Sequence, residues 1–220
     1  MLAAFWLFNL IIRVLSQIDL YFWSLYSRIV KWQLMRLDSK IFDSLFLVGP
    51  MGSGKTTIGK QLARELALKF IDSDHEVEIR AGADITWIFD VEGEVGFRER
   101  ETKVLEELTL LPNIVLSTGG GSILRKKNRG YLKSRGVVVF LDTTVNIQMQ
   151  RIENDKKRPL LQDVDKSEVL NEMKRYRDPL YNEVSDIKVF SGDLGSKRVV
   201  SNIIEGLVEK GFIDKEFRWK

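Results

Sequence analysis

The chain has 220 residues, 44% of them hydrophobic and 30% charged, which is enough for one α/β domain with an appendage and ordinary for a globular protein. It has no cysteine, so disulfides and thiolate metal sites are excluded, and a reducing compartment suits that absence. The formal charge of +3 sits in residues 1–40, where Arg13, Arg28, Lys31, Arg36 and Lys40 outnumber Asp19 and Asp38; the remaining body is neutral, so charge gives no case for nucleic acid as a partner.

Residues 1–34 are crowded with Phe, Leu, Ile, Trp and Tyr, including Trp6, Trp23 and Trp32. Asn9, Arg13, Ser16, Gln17, Ser24, Ser27, Arg28 and Lys31 recur mostly at helical spacing, which gives a narrow polar stripe beside a broad apolar face. A spanning helix wants about 18 apolar residues with few or no charges, and Arg13 and Asp19 interrupt every such window. A secretory signal would need a basic start, which is missing. Two readings stand. One is a helix that lies in a membrane interface or binds a partner. The other is a translation start at Met35, a short stretch before the first strand, which would leave residues 1–34 untranslated. A membrane surface is expected as a partner only through this segment. The expected organisation is an extension over 1–40, a domain over 41–213 and a frayed tail over 214–220.

Along the body, β-type runs alternate with helical patterns. Strands are predicted at 44–48, 69–73, 113–117, 136–142 and 186–190. Helices are predicted at 55–67, 75–80, 84–90, 94–109, 123–134, 144–153, 167–178 and 196–209. A charged loop is expected at 154–165, and the helix at 167–178 is expected to stop before Pro179. This alternation predicts an α/β fold, a parallel sheet with helices on both faces. There is no internal repeat and no low-complexity tract. Ligands on such sheets bind at the carboxyl ends of the strands, so those ends become the candidate site.

The first strand runs into Gly49-Pro-Met-Gly52-Ser53-Gly54-Lys55-Thr56-Thr57, a phosphate-binding loop pattern. Its glycines let backbone N–H groups face a polyphosphate, and the following helix adds its positive end. Lys55 supplies a cation for the β- and γ-phosphates of a nucleoside triphosphate, and the Thr56 hydroxyl can ligate Mg²⁺. The second strand ends at Asp72-Ser-Asp74. Two carboxylates two residues apart in an extended segment point to one side, where one can serve the metal and the other a substrate hydroxyl. The bland alternative is that Asp74 caps the next helix.

Arg98 and Glu101 share a helix face at i, i+3, a spacing that alone means an ordinary surface ion pair. The third strand ends at Thr118-Gly119-Gly120-Gly121, where missing side chains allow backbone to approach a ligand. Arg158, in a basic loop with a proline, suits a lid over phosphates or a solvated charge run. Arg175 and Arg177 precede Pro179 and could clamp a carboxylate. His75, the only histidine, reads as a polar first-turn residue.

Taken in order, Gly49–Thr57, Asp72-Ser-Asp74, Gly96-Phe97-Arg98-Glu-Arg-Glu101, Thr118-Gly-Gly-Gly121, Lys157-Arg158-Pro-Leu-Leu and Arg177-Asp-Pro-Leu-Tyr181 resemble shikimate kinase of the bacterial single-domain type over about residues 41–210. The resemblance implies the three-layer P-loop fold of nucleoside monophosphate kinases, with strand order 2-3-1-4-5. It implies phosphoryl transfer from MgATP to the 3-hydroxyl of shikimate in chorismate and aromatic amino-acid synthesis, by a cytoplasmic monomer. Gly52, Ser53, Gly54, Lys55, Thr56 and Thr57 would hold the ATP phosphates. Thr56 and Asp72 would serve Mg²⁺. Asp74 would be the base, and Arg98, ordered by Glu101, and Arg177 would grip the carboxylate. Gly119, Gly120 and Gly121 would contact shikimate by backbone, and Phe89 and Phe97 would pack against its ring. Arg158 would be the lid arginine and Arg151 would stack on adenine. A loop near 192–195 should close over adenine, but its residues do not align securely. The family does not require residues 1–34. Other small-molecule kinases of this fold, gluconate- or nucleotide-kinase-like, share the phosphate loop but do not need Asp74, Arg98 and Arg177 together. A tethered module without catalysis would be expected to lack Lys55, Asp72, Asp74 or Arg158.

Overall fold

In the computed structural model the described residues are 42–153 and 165–214. The expectations for residues 1–34, for the loop carrying Arg158 and for the C-terminal tail fall outside them. Five strands, β1 Leu45–Val48, β2 Lys69–Asp72, β3 Ile114–Ser117, β4 Val137–Asp142 and β5 Ile187–Phe190, form one sheet in the order β2-β3-β1-β4-β5. Every pairing is parallel, with Leu45 opposite Val115 on one side and Val137 on the other. The expected order is therefore found. Its cause is visible in composition: β1, β3 and β4 are near-continuous apolar runs, buried along their length, and take the centre. The edge strand β5 alternates, with Ile187 and Val189 inward and Lys188 and Phe190 outward.

Among the described residues seven helices accompany the sheet: α1 Lys55–Glu65, α2 Ser73–Ala81, α3 Ile85–Leu108, α4 Lys126–Arg135, α5 Val145–Ile152, α6 Lys166–Val184 and α7 Ser196–Glu209. The two-residue period of β1 splits the core. Leu45 and Leu47 pack with Ile58 and Leu62 of α1 and Val199 and Ile203 of α7. Phe46 and Val48 pack with Ile88 and Leu105 of α3, Leu132 of α4 and Tyr181 of α6. Each such buried side chain is worth about 1.5–3 kcal/mol, so a one-residue slip of β1 would exchange both layers at once and is strongly disfavoured.

The two helices expected at 84–90 and 94–109 are both found, as the two arms of α3 on either side of a break at Gly93 (φ 68°, ψ 179°), a conformation that essentially only glycine adopts. Two boundaries differ from the sequence reading. Helix α4 starts at Lys126 rather than 123, because Ser122 and Leu124 donate their N–H groups back to Gly119 and Gly121 in successive turns. Helix α6 runs through Pro179 to Val184 instead of stopping at 178. An internal proline costs about 3 kcal/mol. Burial of Tyr181 and Val184, each at most 1% exposed, offsets it. Among the described residues no helix is long and apolar enough to cross a membrane.

Candidate active site

The phosphate loop joins β1 to α1. Gly54, left-handed at φ 88°, turns the chain into the helix, so that Lys55 is its first residue. The Lys55 ammonium donates to the Gly49 and Pro50 carbonyls at 2.8 and 2.9 Å and to the Ser53 hydroxyl at 3.5 Å. The Thr56 hydroxyl donates to Asp72 Oδ2 at 2.9 Å. Asp72 Oδ1 accepts from the Asp74 N–H at 3.1 Å, so Asp72, not Asp74, caps α2. The expectation of an extended pair is corrected as well: β2 ends at Asp72, and Asp74 lies in the first turn of α2. The two carboxylates nonetheless reach one cleft of about 190 Å³, lined also by Lys55, Thr56, Thr118 and Gly120, with Gly52, Gly54 and Thr57 on its loop side. Three strand ends thus meet, as expected. Ser73 and Thr118 fasten them: the Gly119 N–H donates to the buried Ser73 hydroxyl at 3.1 Å, and the Thr118 hydroxyl donates to the Leu47 carbonyl at 3.0 Å.

Phe89, Phe97, Arg98, Glu101 and Arg177 are not among the residues that line this cleft; Glu101 approaches it at Gly119, Arg98 at Gly121, and the helix of Arg177 at Gly120 through Tyr181. Arg98 and Glu101 are not the surface pair their spacing alone suggested. Both are buried, and Arg98 Nη1 donates to the two Glu101 oxygens at 3.1 and 2.9 Å. Burial pushes the Glu101 carboxyl up against the opposing pull of Arg98, Arg125 and Arg177. Burial works against the Arg98 charge too, but Glu101 and Glu94 outweigh it and hold that guanidinium above its ordinary value. The Arg98 guanidinium lies against Gly121 and 5.1 Å from the Phe97 ring centroid, within cation–π reach, and the Phe97 ring is 4.8 Å from that of Phe89. Behind Gly119 stand two carboxylates. A Cβ built there would be 2.5 Å from Asp74 Oδ1 and 2.9 Å from Glu101 Oε1.

Arg177 is buried on α6 one turn before Tyr181. Tyr181 is wholly buried, stacks on Phe140 at 4.9 Å between centroids and donates its hydroxyl to the Gly120 carbonyl at 2.5 Å. Burial pushes its phenol up, with the Arg177 charge opposing. Arg151 donates to the Gly52 carbonyl at 2.8 Å and to those of Ser191 and Gly192 at 2.9 and 2.6 Å, while the Ser191 hydroxyl donates to the Ser53 carbonyl at 2.7 Å. The segment after β5 is thereby tied to the phosphate loop. His75 is an exposed first-turn residue 3.7 Å from Glu78, away from this chemistry.

Sequence reading missed four residues of this assembly. Glu94, four before Arg98, and Tyr181, four after Arg177, carry the helical spacing that could have found them. Ser73 and Ser191 carry no such signal, because their roles depend on strands brought together by the fold.

Residues 51–208 match the family model described as shikimate kinase. Among curated proteins, a shikimate kinase from Pasteurella multocida (strain Pm70) is 53% identical over 163 residues, covering 74% of this chain and 93% of the relative. One from Histophilus somni (strain 2336) is 56% identical over 163 residues with the same coverage. Among solved structures, a shikimate kinase from Acinetobacter baumannii in complex with shikimate is 45% identical and superposes with a TM-score of 0.77, covering 79% of this chain and 97% of that one.

Proposed function

The chain belongs to the shikimate kinase family, and from that premise we propose that it transfers the γ-phosphoryl group of ATP to the 3-hydroxyl of shikimate. The observation that carries this reading is the contact set around Gly119–Gly121. One short backbone segment touches the Asp74 carboxylate, the Glu101–Arg98 pair and, through Gly120 and Tyr181, the helix of Arg177. An acceptor that offers a hydroxyl at one end and a carboxylate at the other matches this set, which a nucleotide acceptor has no need of; between carboxylate-bearing acceptors, family membership favours shikimate over gluconate.

On this reading Gly52–Thr57 hold the polyphosphate by backbone N–H groups, and Lys55 neutralises its β- and γ-oxygens. Arg98 and Arg177 grip the shikimate carboxylate, with Phe89 and Phe97 beside the ring. Asp74 receives the proton of the attacking hydroxyl as its oxygen bonds to the γ-phosphorus and the bond to the bridging oxygen breaks, leaving ADP. The Thr56 hydroxyl and the Asp72 carboxylate, 2.9 Å apart at the cleft, form an all-oxygen pair that suits Mg²⁺. When bound, Mg²⁺ neutralises charge on the transferring phosphate. Arg151 borders adenine, and Arg158 supplies the lid arginine. The need for ATP fits a cytoplasmic location, and the enzyme is taken to act as a monomer. The test is acceptor choice, read as ADP release with shikimate against gluconate and nucleoside monophosphates.

A further inference from the structure

Arg98 presents two usable edges, and both carry carboxylates. Nη1 is held by Glu101, whose side chain is 1% exposed. The opposite edge, Nε and Nη2, donates at 3.2 and 3.1 Å to a single oxygen, Oε1 of Glu94. The Glu94 side chain is 47% exposed, against 10% for Arg98. Glu101 is therefore a fixed partner, while Glu94 can trade its arginine for water at little cost. Local chain geometry puts it there. Glu94 is the first residue after the Gly93 kink, and its neighbour across the kink, Glu92, is taken by Arg100 at 2.8 and 2.7 Å.

We propose that Glu94 occupies the subsite of the acceptor's carboxylate, so that shikimate enters by displacing it from the Nε/Nη2 edge of Arg98. This deepens the shikimate kinase reading and rests on it. The exchange is chemically favourable, because Glu94 shares one oxygen between two donors whereas a free carboxylate can set one oxygen on each in a parallel fork. An acceptor lacking a carboxylate cannot make that exchange, so Glu94 is a specificity-determining residue. Until substrate arrives it keeps a buried guanidinium satisfied on its open edge.

The sign of one variant separates this role from a merely structural one. If Glu94 only braces Arg98, Glu94→Gln disorders the arginine and raises the shikimate KM. If it competes with substrate, Glu94→Gln lowers the shikimate KM by about two- to fivefold, with kcat and the ATP KM unchanged. Glu94→Asp keeps the charge but shortens the reach, and should also lower the shikimate KM. Steady-state kinetics of the full chain and both variants decide the matter. An unchanged or raised KM in Glu94→Gln overturns the proposal. So does a Glu94→Asp enzyme with the parental KM beside a lowered one in Glu94→Gln, since that assigns the effect to bulk charge. A parent that does not use shikimate refutes the functional reading and this proposal with it; a parent that does, with either of the other results, refutes this proposal alone.

Discussion

Substituting Gly119 by alanine should stop turnover while sparing the nucleotide. The added Cβ would stand 2.5 Å from Asp74 Oδ1 and 2.9 Å from Glu101 Oε1, where ordinary contact begins at 3.4 Å, so the two oxygens would have to retreat by about 0.9 and 0.5 Å. Glu101 is wholly buried and held by Arg98, and the Gly119 backbone is pinned to Ser73, so Asp74 has to give most of the way. A reacting group misplaced by about 1 Å loses on the order of 100-fold in rate. Overpacking adds a stability loss of about 1–3 kcal/mol. Steady-state ADP release at saturating shikimate should therefore fall about 100-fold in Gly119→Ala. ATP affinity, measured by titration, should stay at the parental value, since the hydrogen bonds from Lys55 to the Gly49 and Pro50 carbonyls and from Thr56 to Asp72 lie on the loop side of the cleft. A kcat within threefold of the parent would refute the placement of Asp74 at the reacting hydroxyl, and a lost ATP affinity would refute the division of the crevice into donor and acceptor halves.

Tyr181→Phe removes the hydroxyl that donates to the half-buried Gly120 carbonyl, so chemical denaturation should show a loss of about 1 kcal/mol and kinetics a raised shikimate KM; unchanged values of both would dissociate the glycine segment from α6. Asp142 tests the electrostatics between β4 and α6. Burial pushes its carboxyl up, but hydrogen bonds from Lys174 and Lys188, with Nζ atoms at 2.8 and 3.0 Å, outweigh that and leave it lowered. A lowered folded value means that its contribution is present above the ordinary 3.8 and is lost as pH falls through the folded value. Asp142→Asn should therefore be less stable than the parent by about 1 kcal/mol at pH 7, with the gap closing below about pH 4; urea midpoints with a pH-independent gap would contradict this.

The fold was legible because its signals are local and strong. The unbroken apolar run at 137–141 and the glycine loop after β1 fix a buried parallel sheet and its ligand-binding edge with no knowledge of packing. Asp74 and the three glycines were legible as candidates because residue type, strand end and resemblance agreed, whereas Arg98, in a helix, became one through the resemblance alone. What sequence could not supply was burial and partnership. The i, i+3 spacing of Arg98 and Glu101 is that of a solvated pair, and only the packing of α3 against Gly119–Gly121 makes it a buried one. The rule that proline ends a helix failed at Pro179, because the burial of Tyr181 and Val184 is a tertiary gain invisible to a local rule. Asp72 as the helix cap was missed by two residues, since Asp72 and Asp74 are equally good capping residues and the strand end alone distinguishes them.

The central claim, that this crevice joins an ATP-binding loop to a site for shikimate, is tested most directly by acceptor choice. The full chain with MgATP should release ADP in proportion to shikimate consumed, with the phosphate found on the 3-hydroxyl by phosphorus and proton NMR. Gluconate and nucleoside monophosphates at equal concentration should give no more than the acceptor-free rate. Equal ADP release with any of those acceptors, or none with shikimate, would contradict it.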